Sequence, residues 1–243
     1  MVSNPSSPSS FFPIGSLVDD ISSLEGFSSH ALQEDWDQKV TRIKENSPWG
    51  SHPGWKLCSF IVKSNTDMRQ EQLAMQLLSL FRDIFAEEGI PCWIFPYSVI
   101  VTPNGGLVQT VTNSLSLHSI KRLAILRNPT NTTYSLFDWF KDTFGGQNSQ
   151  EFLKAAFEFM RSLAAYSLFS YVFQLKDRHN GNILLDNRGH LIHVDFGFFL
   201  GNSPGRLVAF ETAPFKLHQE WCDILDASNL YDDCKTLFYC GII

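Results

Sequence analysis

Apolar residues in TDMRQEQLAMQLLSLFRDIFAEEG, 66–89, recur at helical spacing and place Leu73, Leu77, Phe81, Ile84 and Phe85 on one face. A Thr-Asp pair opens the run, Gly89 closes it and Pro91 lies beyond, so both ends of an amphipathic helix are marked. Ahead of it, 36–45 has the pattern of a short amphipathic helix, and NSPWGSHPG at 46–54 reads as a loop. WKLCSFIVK, 55–63, mixes β-branched and aromatic residues and reads as a strand ending in Lys63. Behind the helix, CWIFPYSVIV (92–101) and GLVQTVT (106–112) read as strands joined at Pro103-Asn104-Gly105, and 113–124 turns helical.

The second half has a different character. A polar connector, NPTNTT, leads to SLFDWFKDTFG and then to 150–175, a long run that is apolar around most of a helix circumference and so belongs at the centre of a helical lobe. Residues 213–238 read as helical again. By contrast 1–34 repeat Ser and Pro with few large apolar residues, a composition that cannot offset the entropy of ordering, and read as a disordered leader. The expected fold is α+β, a β-rich lobe followed by a helical one.

Composition narrows the function. With 44% apolar residues the 243-residue chain can fill a core. A net charge of -6, without clustered Lys or Arg, argues against a nucleic-acid binder. Five cysteines without a Cys-x-x-Cys pair indicate neither a disulfide framework nor a zinc finger and fit a reducing, cytoplasmic setting. No basic n-region with an apolar core opens the chain, and the longest charge-free helical run, 162–175, falls short of the roughly 18 to 20 residues a membrane span requires. Cys240-Gly-Ile-Ile243 has the outline of a prenylation signal, but Gly241 and the absence of a polybasic patch speak against it.

One segment concentrates the chemistry: KDRHNGNILLDNRGHLIHVDFGFFLG, 176–201. Ile183-Leu184-Leu185 and Leu191-Ile192-His193-Val194 flank a turn-forming stretch and predict a hairpin. Folded about Arg188-Gly189, it brings Asn182 and Asp195 opposite each other, two hard oxygen donors at one mouth, suited to Mg²⁺ carrying a nucleotide. Kinase sites combine a catalytic-loop Asp, a metal-binding Asn and an Asp-Phe-Gly, and they add a strand-borne Lys positioned by an acid on the next helix. Asp177, Asn182, Asp195-Phe196-Gly197, Lys63 and Glu71 fill those places, although the loop reads Asp-Arg-His where protein kinases have His-Arg-Asp. An iron site built on His193, Asp195 and His218 is the alternative from another chemical class.

These blocks, with SPWGSHPGW, IVKSNTDMRQEQLAMQ, GLVQTVTNSLSLH and SPGRLVAFETAPFKL, resemble the phosphatidylinositol 3- and 4-kinase family, and within it the type III beta phosphatidylinositol 4-kinases. The resemblance implies a bilobal protein-kinase-like fold, with a kinase N lobe at 35–112 and a C lobe at 113–243 that stops short of the helices found in relatives. It implies transfer of the ATP γ-phosphoryl group to the 4-hydroxyl of phosphatidylinositol, with Mg²⁺ or Mn²⁺. Lys63 would then bind phosphate, Glu71 orient it, the Gln109 to Val111 backbone hold adenine, and Ser47, Gly50 and Ser51 form the phosphate loop. Asn182 and Asp195 would hold the metal, Asp177 and His179 would accept or position the hydroxyl proton, and Arg206 and Lys216 would meet the lipid headgroup. Only those two cations lie in 195–217, which favours a substrate without extra phosphates. The same resemblance implies peripheral attachment to Golgi or other internal membranes through recruiting proteins such as Golgi adaptors or small GTPases. Departures are Gln109 where relatives commonly have Glu, no preceding repeat-helical region, and the short C lobe. An impaired kinase-like scaffold and a protein Ser/Thr kinase stand as other readings.

Overall fold

The computed structural model describes residues 34–127, 133–202 and 211–242. The leader expected at 1–34 lies outside them, apart from Glu34. The chain divides into two units, 1–57 and 58–243. In the first, helix α1 (Trp36–Asn46) starts at Asp35, whose carboxylate accepts the Asp37 amide. Residues 47–55 then run through successive tight turns, Gly50 N–H onto the Ser47 carbonyl at 3.0 Å and His52 N–H onto that of Trp49 at 2.9 Å.

In the second unit, strand β1 (Phe60–Ser64), helix α2 (Arg69–Glu87) and strands β2 (Val99–Thr102) and β3 (Gly105–Gln109) form an antiparallel sheet, order β1-β3-β2, with α2 against β2. The first and second strands are shorter than their sequence pattern. Five-residue β3 limits the ladder, pairing Phe60 with Gln109 and Thr102 with Gly105, and Pro96 has no amide to donate to it. The helix is where its periodicity puts it, but turned. It buries Glu71, Ala74, Met75, Leu78 and Phe85, while the expected core residues Leu73 and Ile84 are exposed. An acid among the inward residues explains the difference: Glu71 has a buried partner, and satisfying it sets the rotation of the helix. At its start, Asp67 accepts the Arg69 amide at 3.0 Å, whereas the Thr66 hydroxyl turns back onto Ser64.

A second antiparallel sheet follows: β4 (Ser114–Ser116), β5 (Ile183–Asp186) and β6 (Leu191–His193), in that order. Between β4 and β5 come α3 (Leu117–Arg127), α4 (Leu136–Phe144), opened by a Ser135/Asp138 capping box, and α5 (Gln150–Phe173). The range 213–238, read as helical, opens with a non-helical stretch and then carries two helices, α6 (Gln219–Ala227) and α7 (Tyr231–Cys240). The break falls at Asn229, whose φ of 58° leaves the helical region while the Leu230 amide returns to Leu225.

α5 is the scaffold. Phe152, Phe159, Met160, Leu163, Tyr166 and Phe169 are fully buried on it, and the β5–β6 hairpin is fastened along it by polar contacts. The Ser162 hydroxyl accepts the Leu191 amide at 2.9 Å. His190 stacks on Trp93 with ring centroids 3.8 Å apart, its Nδ1 2.8 Å from Asp186 and its Nε2 3.2 Å from Glu158. Gly189, at φ 98°, passes so close to the Ala155 carbonyl that a β-carbon would overlap it.

The hairpin register differs by one residue from its symmetric sequence reading. Ile183 pairs with His193, and the Val194 amide meets the Asn182 carbonyl, so Asn182 faces Val194 and Asp195 lies one step beyond. The cause is a three-residue loop. Asp186 gathers the Arg188 and His190 amides on its carboxylate, and Gly189 supplies the positive φ, which centres the loop on Arg188.

Replacing Ser162 with Ala leaves the Leu191 amide buried and unpaired, and such an orphan costs about 1 to 3 kcal/mol. Urea denaturation should show a loss of that size with an unchanged slope.

Candidate active site

Two loops leave the second sheet on the side where Asn182 and Asp195 sit. Asp177 and Asp195, one in each, have φ of 61° and 60°. Left-handed backbone at a non-glycine residue costs of order 1 kcal/mol or more and persists where the surroundings over-determine it. Here the over-determining group is Arg178. Its guanidinium is buried and donates to three carbonyls, Lys176 at 2.9 Å, Val194 at 2.8 Å and Asp195. It also lies 5.7 Å from the centre of the Phe196 ring. Burial lowers the pKa of this guanidinium, and the Asp195 and Asp177 carboxylates oppose the shift.

The Asn182 side chain is nearly inaccessible, and its Nδ2 donates to the Asp177 carbonyl at 2.9 Å, which leaves Oδ1 as the available donor atom. The Asp195 residue is exposed, with its backbone held by Arg178. His179 is exposed too, and its Nδ1 accepts the Gly181 amide at 3.0 Å. A β-carbon at 181 would stand 2.8 Å from the His179 ring, so glycine there permits the close turn.

Lys63 projects from β1, its Nζ 4.0 Å from Glu71 Oε2. The other oxygen of Glu71 accepts the Tyr97 hydroxyl at 2.5 Å. Tyr97 is buried, and its ring lies 6.4 Å from that of Phe196, the residue after Asp195. Burial, with the Glu71 carboxylate beside it, holds the phenol well above its ordinary pKa, so Tyr97 is a permanent proton donor to Glu71. A continuous path therefore runs from Lys63 through Glu71, Tyr97 and Phe196 to Arg178, which holds the Asp195 carbonyl, and to the Asp177–Asn182 loop. It gathers five of the expected residues, with His179 on the same loop.

Other expected residues have local contacts. Gln109 turns its side-chain oxygen onto the Ser98 amide, and the Val111 carbonyl accepts the Ser114 hydroxyl. Ser47, Gly50 and Ser51 belong to the 1–57 unit, where Gly50 donates to the Ser47 carbonyl and the Ser47 hydroxyl accepts the Trp49 amide. The Lys216 ammonium donates to the Arg178 carbonyl and to Asn180 Oδ1, both at 3.0 Å. Arg206 lies outside the described residues. For the iron alternative, His193 is buried in a stack on Tyr166 with its Nδ1 unpartnered, and His218 caps α6. Among the described residues no three His, Cys, Asp or Glu are grouped to hold a metal.

Tyr97, Arg178 and Glu211 carry contacts that sequence reasoning did not assign. Only Arg178 had a signal, as the middle of Asp-Arg-His. Tyr97 sits in an apolar run where nothing distinguishes its hydroxyl, beyond the rule that a buried Tyr needs a partner.

The model of the family described as phosphatidylinositol 3- and 4-kinase matches residues 57–239. This chain belongs to that family. It is 44% identical over 219 residues to the phosphatidylinositol 4-kinase of Dictyostelium discoideum, covering 89% of this chain and 18% of that protein. To phosphatidylinositol 4-kinase beta of Danio rerio it is 43% identical, over 89% of this chain and 25% of the relative. To the phosphatidylinositol 4-kinase pik1 of Schizosaccharomyces pombe it is also 43% identical, over 86% and 26% respectively. The chain thus spans about a fifth to a quarter of the length of these curated relatives. Within this family chain, the matched region takes in both strained Asp residues and the whole path from Lys63 to Asp177.

Tyr97→Phe keeps the ring and deletes the hydroxyl that donates to buried Glu71. Thermal and urea unfolding should report a loss of about 1 to 3 kcal/mol, the cost of leaving a buried partner unmatched.

Proposed function

We propose that the chain is the catalytic part of a phosphatidylinositol 4-kinase, which transfers the γ-phosphoryl group of ATP to the 4-hydroxyl of phosphatidylinositol. The observation that carries the reading is the Lys63–Glu71–Tyr97–Phe196–Arg178 path, because it couples a phosphate-binding ammonium to two loops bearing Asp177, Asn182 and Asp195. The relatives' names supply the lipid and the ring position. In this reading 35–112 and 113–243 are the two lobes, 109–113 is the hinge whose backbone meets adenine, and Ser47, Gly50 and Ser51 are the phosphate-loop residues.

The residues fit a divalent ion. Asn182 has its amide nitrogen engaged and its oxygen available, and Asp195 offers an exposed carboxylate, a hard oxygen pair of the kind Mg²⁺ takes alongside phosphates. When bound, such an ion neutralises charge between the β- and γ-phosphates. Lys63 adds a positive charge held in place by Glu71. Asp177 is the proton acceptor: the inositol oxygen bonds to phosphorus, its proton passes to the Asp177 carboxylate, and the bond to the bridging oxygen breaks with its electron pair leaving on ADP. His179, with Nδ1 already accepting a backbone amide, presents Nε2–H as a donor and orients the reacting oxygens. A positioned base of this type contributes on the order of 10² to 10⁴ in rate, and positioning with charge neutralisation carries most of the rest. Of the two cations assigned to the lipid phosphate, Lys216 already has protein partners, which leaves Arg206 for that role.

No helix of the described residues is long and apolar enough to cross a membrane. Delivery to the lipid is proposed to rest on recruiting proteins of the adaptor or small-GTPase kind at the Golgi or another internal membrane.

With labelled ATP, Mg²⁺ and phosphatidylinositol vesicles, the wild-type chain should form phosphatidylinositol 4-phosphate, and Lys63→Met and Asp195→Ala should each lose at least a hundredfold in rate. Equal incorporation by all three would remove the assigned roles. A folded wild type that labels no lipid would point instead to a scaffold.

A further inference from the structure

The segment after residue 210 meets the catalytic loop through its own polar groups. The Asp177 amide, in left-handed backbone and outside any helix or ladder, needs an acceptor, and Glu211 Oε2 provides one at 2.9 Å. The neighbouring Lys176 ammonium returns to the Glu211 carbonyl at 2.6 Å. Five residues on, Lys216 donates to the Arg178 carbonyl and to Asn180 Oδ1, both at 3.0 Å, with its ammonium 5.9 Å from the centre of the Trp221 ring. Residues 176, 177, 178 and 180 are thus each held by this short stretch. Lys216 is half-buried, which costs an ammonium hydration unless protein oxygens replace the water, and the two oxygens it meets both belong to the catalytic loop.

We propose that Glu211 and Lys216 form a clasp that fixes the catalytic loop, so that Lys216 is a positioning residue for phosphoryl transfer and does not contact the lipid headgroup. Arg178 ties the loop to Val194 and Asp195 from its buried guanidinium, and the clasp adds bonds to the Asp177 amide, the Arg178 carbonyl and Asn180. Seating the 211–218 stretch then sets the direction of Asp177 and His179. The effect on rate rests on the kinase reading above, whereas the effect on the loop does not.

Two readouts separate these. In hydrogen–deuterium exchange of the 243-residue chain, peptides covering 175–182 should exchange at least tenfold faster in Glu211→Ala and Lys216→Met. Peptides from α5 should be unchanged, and Glu211→Gln and Lys216→Arg, which keep an acceptor and a donor, should recover most of the protection. In assays with phosphatidylinositol vesicles, Lys216→Met should lower kcat at least tenfold with the KM for lipid within twofold, and lipid-independent ATP hydrolysis should fall in parallel. A headgroup contact would instead raise the lipid KM and spare ATP hydrolysis. Unchanged exchange around Asp177 overturns the clasp, as does a Lys216→Met variant altered only in lipid KM. A wild type without kinase activity would sink the kinase reading alone, since the exchange data still decide the clasp.

Discussion

A guanidinium taken out of water must find its hydrogen bonds in the protein, and Arg178 finds them on three backbone carbonyls from two different loops. Each of those loops contains an aspartate in a conformation that an isolated peptide would leave. The arginine and the strain therefore stabilise each other: Arg178 favours the positive φ at Asp177 and Asp195, and without those turns three carbonyls do not converge on one side chain. Burying such a charge is expensive unless it is fully bonded, so the arrangement tolerates little loosening. Much of the rigidity of these two loops follows from that one requirement.

The rest of the second unit supports this node from two directions. α5 supplies a rigid floor, since its side chains are buried around most of its circumference and it accepts the β5–β6 hairpin through Ser162 and the Glu158–His190–Asp186 bridge. From just before β2, Tyr97 donates its hydroxyl to Glu71 and sets its ring beside Phe196. The rotation of α2, which exposes Leu73 and Ile84 while burying an acid, follows from the same contact. A polar bond inside the protein thus decides which apolar residues of that helix face water.

Much of this was legible in the sequence because it depends on spacing. Periodicity located α2 and α5, a Thr-Asp start and Gly89 marked the ends of α2, and the order of Lys63, Glu71, Asp177, Asn182 and Asp195 named a set that the fold does gather. What escaped depends on contacts between residues distant in the chain. The hairpin register was misjudged by one because symmetry of residue count ignores Asp186, which collects two amides and shifts the loop centre. Strands were read too long because β-propensity does not show where a partner ends. Tyr97 and Glu211 were missed because their partners lie 26 and 34 positions away, at Glu71 and Asp177. The helical reading of 213–238 holds for two helices and is interrupted for a local reason, the left-handed Asn229, and a tertiary one, the non-helical stretch in which Lys216 meets the Arg178 carbonyl.

The central claim is that this node holds Asn182 and Asp195 for one divalent ion that accompanies a nucleotide. Calorimetric titration of ATP into the chain, in saturating Mg²⁺ and again in EDTA, tests it most directly when repeated with the Asn182→Ala, Asp195→Ala double variant. The account predicts binding at least tenfold tighter with Mg²⁺ for the wild type, and no difference between the two conditions for the variant. Equal affinity with and without the metal in the wild type, or a metal dependence that survives in the variant, would contradict it.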